Sequence, residues 1–166
     1  MRIGLLSDTH GFLDDAIFGY FAECDEAWHA GDLGLNVLSR LQGFKPVRGV
    51  FGNIDGTQVR AELPRDLDWR CEGVRVYMTH IGGYPGNYDR RAKRELLRRK
   101  PGLFICGHSH IARVERDPAL GLLYMNPGAC GRNGWHRVRT LLRFTVEAGK
   151  IGNVELVELG PRGKTS

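Results

Sequence analysis

Four short fragments of this chain carry side chains that bind cations: Asp8-x-His10, Gly31-Asp32, Gly52-Asn53-x-Asp55 and Gly107-His108-Ser109-His110. Each follows an apolar run, and His80 closes a fifth such run. Asp8 and His10 stand two residues apart, so in extended chain both point to the same side and can grip one ion; His108 and His110 repeat that spacing. Asp32 offers two carboxylate oxygens, enough for one residue to bridge two cations. Asn53 adds a neutral amide oxygen, which would limit the negative charge at a second ion. Taken singly, each fragment reads as an ordinary loop, and Asn53 after Gly52 as a turn residue. Together they supply two Asp, one Asn and four His, a mixed oxygen and nitrogen set that suits Mn²⁺, Fe or Zn²⁺ better than Mg²⁺ or Ca²⁺. Two such ions about 3.5–4 Å apart would lower the pKa of a bridging water, polarise phosphoryl oxygens and align in-line attack on a phosphoester. No competing nucleophile is evident: Gly-x-Ser-x-Gly and the P-loop pattern are both missing.

Residues so far apart in sequence converge only if strands deliver them to a common edge. Short apolar, β-branched or aromatic runs predict strands at Ile3 to Ser7, Glu26 to Ala30, Val47 to Phe51, Val74 to Thr79 and Leu103 to Cys106. Helical patterns separate the first three, at Leu13 to Glu23, with Asp14 and Asp15 near its start, and at Leu35 to Leu41, stopped by Gly43 and Pro46. Alternating strand and helix implies βαβ units and a mostly parallel sheet, whose ligands bind beyond the carboxyl ends of the strands, where all five fragments lie. After Ile111 the runs Arg113 to Glu115, Leu122 to Met125, Thr140 to Val146 and Val154 to Glu158 predict antiparallel sheet, to which Asp66 to Cys71 adds an earlier strand. One domain over 1–166, built of two packed sheets, is the economical expectation.

At 166 residues the chain can bury roughly 70% of the surface its unfolded form exposes. Apolar residues at 42% and charged residues at 26% exclude disordered and fibrous classes. No signal-like or membrane-spanning run is present, so a cytoplasmic protein without membrane contact is expected, and Cys24, Cys71, Cys106 and Cys130 should be buried free thiols. The net charge of +5 draws heavily on Arg90 to Lys100, where Ala92, Leu96 and Leu97 recur at helical spacing and predict a solvated basic helix. That run has no interleaved aromatic residue, which disfavours a nucleic-acid groove. His29, inside an apolar strand, reads as a core histidine; Trp28, Trp69 and Trp135 read as core or interface.

The ordered set Asp8-x-His10, Gly31-Asp32, Gly52-Asn53-x-Asp55, His80 and Gly107-His108-Ser109-His110, with Asn126-Pro127-Gly128-Ala129 after it, resembles the calcineurin-like metallophosphoesterases. The short length and the Gly-His-Ser-His form are similar to the small bacterial and archaeal phosphodiesterases of that superfamily. The resemblance spans Met1 to about Val146. It implies an α/β (α+β), four-layer β-sandwich of two mixed sheets flanked by helices. It further implies one metal on Asp8, His10, Asp32 and His110, a second on Asp32, Asn53, His80 and His108, and a bridging hydroxide held through the shared Asp32. Mn²⁺ is the metal this branch suggests, with Ni²⁺, Fe or Zn²⁺ as alternatives, and a small phosphodiester is the implied substrate.

Many superfamily members carry a His directly after the Asn, where it protonates the leaving group. Here that residue is Ile54, so the general acid is unassigned. Asp55 is expected to accept a hydrogen bond from a metal-binding His, the alternative being a turn-stabilising Asp before Gly56. His136 and Arg132 are candidates to approach the substrate phosphate. Two other readings share the motifs: a nuclease acting on DNA or RNA, and a non-catalytic scaffold resembling the retromer subunit of this fold. Association into a homo-oligomer is left open by the sequence.

Overall fold

The computed structural model describes residues 1–163. In chain order the elements are β1 (Arg2–Leu6), α1 (Ala16–Tyr20), β2 (Glu26–His29), α2 (Val37–Gln42), β3 (Val47–Gly49), α3 (Thr57–Glu62), β4 (Asp66–Cys71) and β5 (Val74–Thr79). There follow β6 (Gly83–Tyr84), β7 (Asn87–Tyr88), α4 (Arg90–Arg99), β8 (Leu103–Ile105), β9 (Ala112–Asp117), β10 (Leu122–Pro127), β11 (Val138–Glu147) and β12 (Lys150–Pro161). One sheet runs β12-β11-β1-β2-β3 and the other β4-β5-β8-β10-β9, with β6 and β7 forming a separate hairpin. Within the first sheet β1, β2 and β3 are parallel, while β11 and β12 are antiparallel additions. In the second, β5, β8 and β10 are parallel, and β4 and β9 close the two edges in antiparallel pairing.

Side-chain alternation along the strands builds the layers. Ile3, Leu5, Trp28, Leu142 and Phe144 of the first sheet meet Val76, Met78, Leu103, Ile105 and Met125 of the second across a shared core. The other face of the first sheet, through Leu6, Ala27 and Leu141, packs on Ile17 of α1, Leu38 and Leu41 of α2 and Val59 of α3. The other face of the second sheet, through Tyr77, Phe104 and Tyr124, packs on Ala92 and Leu96 of α4. This is the expected four-layer arrangement of two mixed sheets flanked by helices. Each large apolar side chain so buried contributes about 1.5–3 kcal/mol, so the strand ends that carry the candidate ligands project from strands anchored in a buried core. Gly4 shows the fit: a Cβ there would press into the Phe21 ring, 2.5 Å from its nearest carbons.

Several elements differ from expectation. The helix predicted over Leu13 to Glu23 is only α1, because the chain before it is bent by the Phe12 N–H to Thr9 carbonyl turn and by Gly11 donating to the Leu33 carbonyl. Asp14 does favour the start, accepting the Ala16 N–H at 2.9 Å. Helix α3 has only Val59 buried, too little apolar pattern to announce it. The predicted antiparallel half divides between the sheets: β10 pairs with β8 in parallel, and β11 with β1 of the other sheet. In α4, Ala92 and Leu96 are buried but Leu97 is 54% exposed. Ion pairs from Arg91 to Asp66, from Arg99 to Asp68 and from Arg98 and Arg99 to Glu95 offset part of that helix's charge. Trp28 is fully buried with Trp69 edge-on against it, whereas Trp135 is 100% exposed and belongs to no core. All four cysteines are buried free thiols. Among the described residues no helix is long and apolar enough to cross a membrane.

Candidate metal centre

The loops leaving β1, β2, β3, β5 and β8 bring the seven expected side chains to one edge of the sandwich. Two groups of donor atoms emerge there, Asp8 with His10 and His110, and Asp32 with His80 and His108. His110 Nε2 lies 3.1 Å from Asp8 Oδ1, and His80 Nε2 lies 3.2 Å from Asp32 Oδ2. Asp32 Oδ2 is also 3.5 Å from His10 Nε2, so this one oxygen sits between the two groups. Asn53 Oδ1 lies 3.1 Å from His108 Nδ1 and thus joins the second group.

Three of the donors are aimed by their other atoms. Asp8 Oδ2 accepts from Ser7 Oγ at 2.7 Å and from the His108 N–H at 3.1 Å, which turns Oδ1 inward. Asp32 Oδ1 accepts the Ile54 N–H at 2.9 Å, which leaves Oδ2 for the centre. A carbonyl only accepts, so His80 Nδ1 must donate to Ala30 O, 2.7 Å away, and Nε2 presents its lone pair inward when the ring is neutral. Asp8 Oδ1, His10 Nε2 and His80 Nε2 are buried and, among the described residues, make no hydrogen bond of good geometry; their nearest polar neighbours are the other donors of the centre, at 3.1–3.8 Å. Orphaned buried polar atoms are rare and need a reason; three converging on one point are what a cation would satisfy.

The electrostatics agree. Burial by itself would push the Asp8 carboxyl up, yet His10 and His110 outweigh it and hold the group far below the usual carboxylate range. Burial likewise opposes ionisation of Asp32, but the His80 ring keeps it lowered. Burial disfavours the His80 imidazolium, and Asp32 and Asp8 overcome this and raise its pKa. The same negative field would attract a divalent cation in place of the proton. Burial lowers His108 and His136.

Five of these side chains sit on left-handed backbone: Asp8 at φ 54°, His10 at 47°, Asp32 at 56°, His108 at 68° and His110 at 63°. Such conformations cost about 1–3 kcal/mol each and gather at functional sites. Close packing holds them. A Cβ on Gly52 would collide with the Asp32 carboxylate, and one on Gly107 with Ser7 Oγ.

Asp55 differs from expectation. Its carboxylate meets no histidine but accepts three backbone N–H groups, from Gly52 at 2.9 Å, Leu33 at 3.1 Å and Gly34 at 2.9 Å. It therefore ties the Asp32 loop to the Asn53 loop. His29 is a core histidine as expected: its Nδ1 accepts the Gly31 N–H, so Nε2 donates to Thr9 Oγ1, and burial pushes its pKa down to about 4. The His136 ring packs on His110 at 5.2 Å and donates through Nε2 to Gly131 O, while the Arg132 guanidinium lies 4.0 Å over the Phe12 ring. Sequence reasoning missed Asn126 as a positioning residue. Fully buried at the end of β10, its amide donates to Gly107 O at 3.0 Å and to Ser109 Oγ at 3.1 Å, pinning the loop that carries His108 and His110. The Asn126-Pro127-Gly128 turn was the available signal for it. Asn133, in the loop with Arg132 and His136, lies with its amide nitrogen 3.4 Å from His10 Nδ1.

A four-layer αββα sandwich with two facing donor groups at its strand ends defines a metallophosphoesterase-type protein. The chain belongs to the calcineurin-like phosphoesterase superfamily, whose domain model matches residues 1–149. Membership implies divalent metal ions and phosphoesterase chemistry. Among curated proteins none matches the chain in sequence. Among solved structures, a novel archaeal phosphodiesterase is similar at 19% identity and TM-score 0.72, over 96% of this chain and 100% of that one. A predicted phosphoesterase of Streptococcus pneumoniae is similar at 21% identity and TM-score 0.69, over 95% and 88%. Vps29 of Entamoeba histolytica, complexed with Zn²⁺, is similar at 16% identity and TM-score 0.74, over 98% and 100%. At these identities the likenesses establish the shared fold.

Proposed function

We propose that this protein is a binuclear metal-dependent phosphodiesterase that hydrolyses small phosphodiesters in the cytosol. The observation that carries the reading is the convergence of two donor groups around buried Asp8 Oδ1, His10 Nε2 and His80 Nε2, which make no hydrogen bond of good geometry among the described residues. That set of carboxylate, amide and imidazole donors fits borderline divalent cations. Asp8, His10, Asp32 and His110 would hold one ion and Asp32, Asn53, His80 and His108 the other, with Asp32 shared. Mn²⁺ is the favoured ion, and Ni²⁺, Fe or Zn²⁺ are alternatives. Bound there, the ions would supply an activated water and neutralise charge on the phosphoryl oxygens.

The chain's own part is positional. Ser7 and the His108 N–H orient Asp8, the Ile54 N–H orients Asp32, and Ala30 O fixes the His80 ring, so the donors need little rearrangement to act. Arg132 is the side chain of its loop proposed to approach the phosphoryl group, whereas His136, expected to do the same, has its N–H engaged by Gly131 O and packs on His110. Ile54 has no proton to give a leaving group, so departing alkoxides are poorly served.

The test pairs occupancy with turnover. Protein supplied with Mn²⁺ should retain two ions per chain by elemental analysis and hydrolyse bis-p-nitrophenyl phosphate, and chelation should abolish both. Asp32→Asn should lose both as well. Neither occupancy nor hydrolysis with Mn²⁺, Ni²⁺, Fe²⁺ or Zn²⁺ would overturn the reading and favour the interaction scaffold.

A further inference from the structure

Beside the second donor group the surface opens into a cavity of about 440 Å³, lined by Asn53 and His80 of that group and by Phe51, Arg60, Arg65 and Arg91. That is within the about 300–1,000 Å³ typical of small-molecule sites and exceeds what a phosphoryl group needs. The cationic groups are not equivalent. Arg91 is neutralised by its ion pair with Asp66. Arg60 donates through Nε to the Asp55 carbonyl at 2.6 Å and stacks 4.4 Å over Phe51, which fixes its plane and leaves its two terminal amino groups unengaged by the described residues. Arg65 is exposed, and among the described residues it makes no side-chain hydrogen bond or ion pair. The acid lining the cavity, Asp89, keeps its charge while its Oδ2 caps α4 by accepting the Ala92 N–H, so two arginines without an ion pair among the described residues stand against one carboxylate. A fixed guanidinium and a free one lining one cavity beside the candidate metal centre supply cationic donors suited to an oxyanion.

We propose that this cavity is a subsite for a second oxyanion, phosphoryl or carboxylate, carried on the organic part of the ester, with Arg60 and Arg65 as its specificity-determining residues. For what is hydrolysed, the proposal rests on the phosphodiesterase reading; for what is bound, it does not. Substrates of this protein are then esters bearing an extra anionic group, the phosphoryl under attack lying at the donor atoms and the second anion reaching the arginines.

The test compares p-nitrophenyl diesters of ethyl, carboxyethyl and phosphoethyl phosphate on the Mn²⁺-loaded protein. At least one anionic ester should exceed the ethyl ester in kcat/KM by about tenfold or more, mainly through KM, as expected for a hydrogen-bonded charge pair. In Arg65→Gln, and more completely in the Arg60→Gln/Arg65→Gln double variant, that ratio should fall towards one. A ratio near one in the wild type, or one unmoved by both variants, overturns the proposal. If no ester is hydrolysed, the phosphodiesterase reading fails and binding alone decides the subsite. Titrating the full chain with inorganic phosphate, and separately with acetate, should shift the arginine Nε–Hε resonances of Arg60 and Arg65 together, with Arg65→Gln weakening the response about tenfold. Silence at both resonances with either anion overturns it.

Discussion

Replacing Asp55 by Asn is the sharpest probe of how the candidate centre is held. The side chain is 3% exposed, and its two oxygens accept from three backbone N–H groups in two loops. Asparagine keeps the shape but has only one accepting oxygen. Its best orientation places that oxygen where Oδ2 was, retaining Leu33 and Gly52, and turns an NH2 against the Gly34 N–H. One hydrogen bond to a charged group is lost, at about 1.5–3 kcal/mol, and two others weaken from charged to neutral, by about 1 kcal/mol each. Relief from burying a carboxylate offsets part of this, leaving a net loss of about 3 kcal/mol. For a chain of this length that is a fall of about 6–12 °C in Tm, measured on metal-free protein by calorimetry. Because the broken ties join the Asp32 loop to the Asn53 loop, Mn²⁺ affinity should also fall, by about 10–100-fold, read by isothermal titration. A variant within about 0.5 kcal/mol of wild type, or one unfolding normally with unchanged Mn²⁺ affinity, would refute the reasoning. The first result would mean the three hydrogen bonds are dispensable, the second that the loops are held some other way.

Two further outcomes follow from particular side chains. Since Ile54 cannot protonate a leaving group, aryl phosphodiesters should be cleaved faster than unactivated alkyl ones by about 10²-fold or more, and equal rates in a paired steady-state assay would contradict this. Burial pushes the Cys106 and Cys130 thiols up to about 12 and raises Cys24 and Cys71. All four should therefore resist a disulfide reagent in native protein at pH 8 and react after denaturation, and rapid native labelling of any one would show an opening the packing does not allow.

The strand ends were legible because each combines a β-branched or aromatic run with an abrupt Gly, Asp or His, and that pattern survives without knowledge of partners. Their convergence followed from alternation of strands and helices, so Asp8, His10, Asp32, Asn53, His80, His108 and His110 could be gathered at one edge from the sequence. What could not be read depends on pairing. Asp55 was visible as an acid near the centre, but its choice of three N–H groups over a histidine is decided by how the loops after β2 and β3 lie side by side. The division of β10 and β11 between two sheets is likewise a matter of long-range register. Arg60, Arg65 and Arg91 come from α3, the loop before β4 and α4, with nothing in their spacing to unite them, and the short α3 carries only one buried apolar residue to reveal itself.

The left-handed ligands explain why those loops must be held so firmly. Five residues at about 1–3 kcal/mol each amount to a strain comparable with the about 5–15 kcal/mol by which domains are stable at all. Asp and His tolerate this region better than most residues, which lowers the sum, and the loops supply the remainder of the compensation. Asp55 satisfies three N–H groups and Asn126 grips Gly107 and Ser109, while a Cβ at Gly52 or Gly107 would break the close approach to Asp32 and Ser7. Asp8 and His10, and likewise His108 and His110, do not meet through the expected extended chain: all four are left-handed, and both members of each pair face inward from a backbone that turns as it leaves the strand end. The strain, the glycines and the buried acceptors are thus one device. It keeps the donors turned inward before an ion arrives, so that binding loses little to reorganisation, and this arrangement accounts for polar atoms that would otherwise lie buried without a partner.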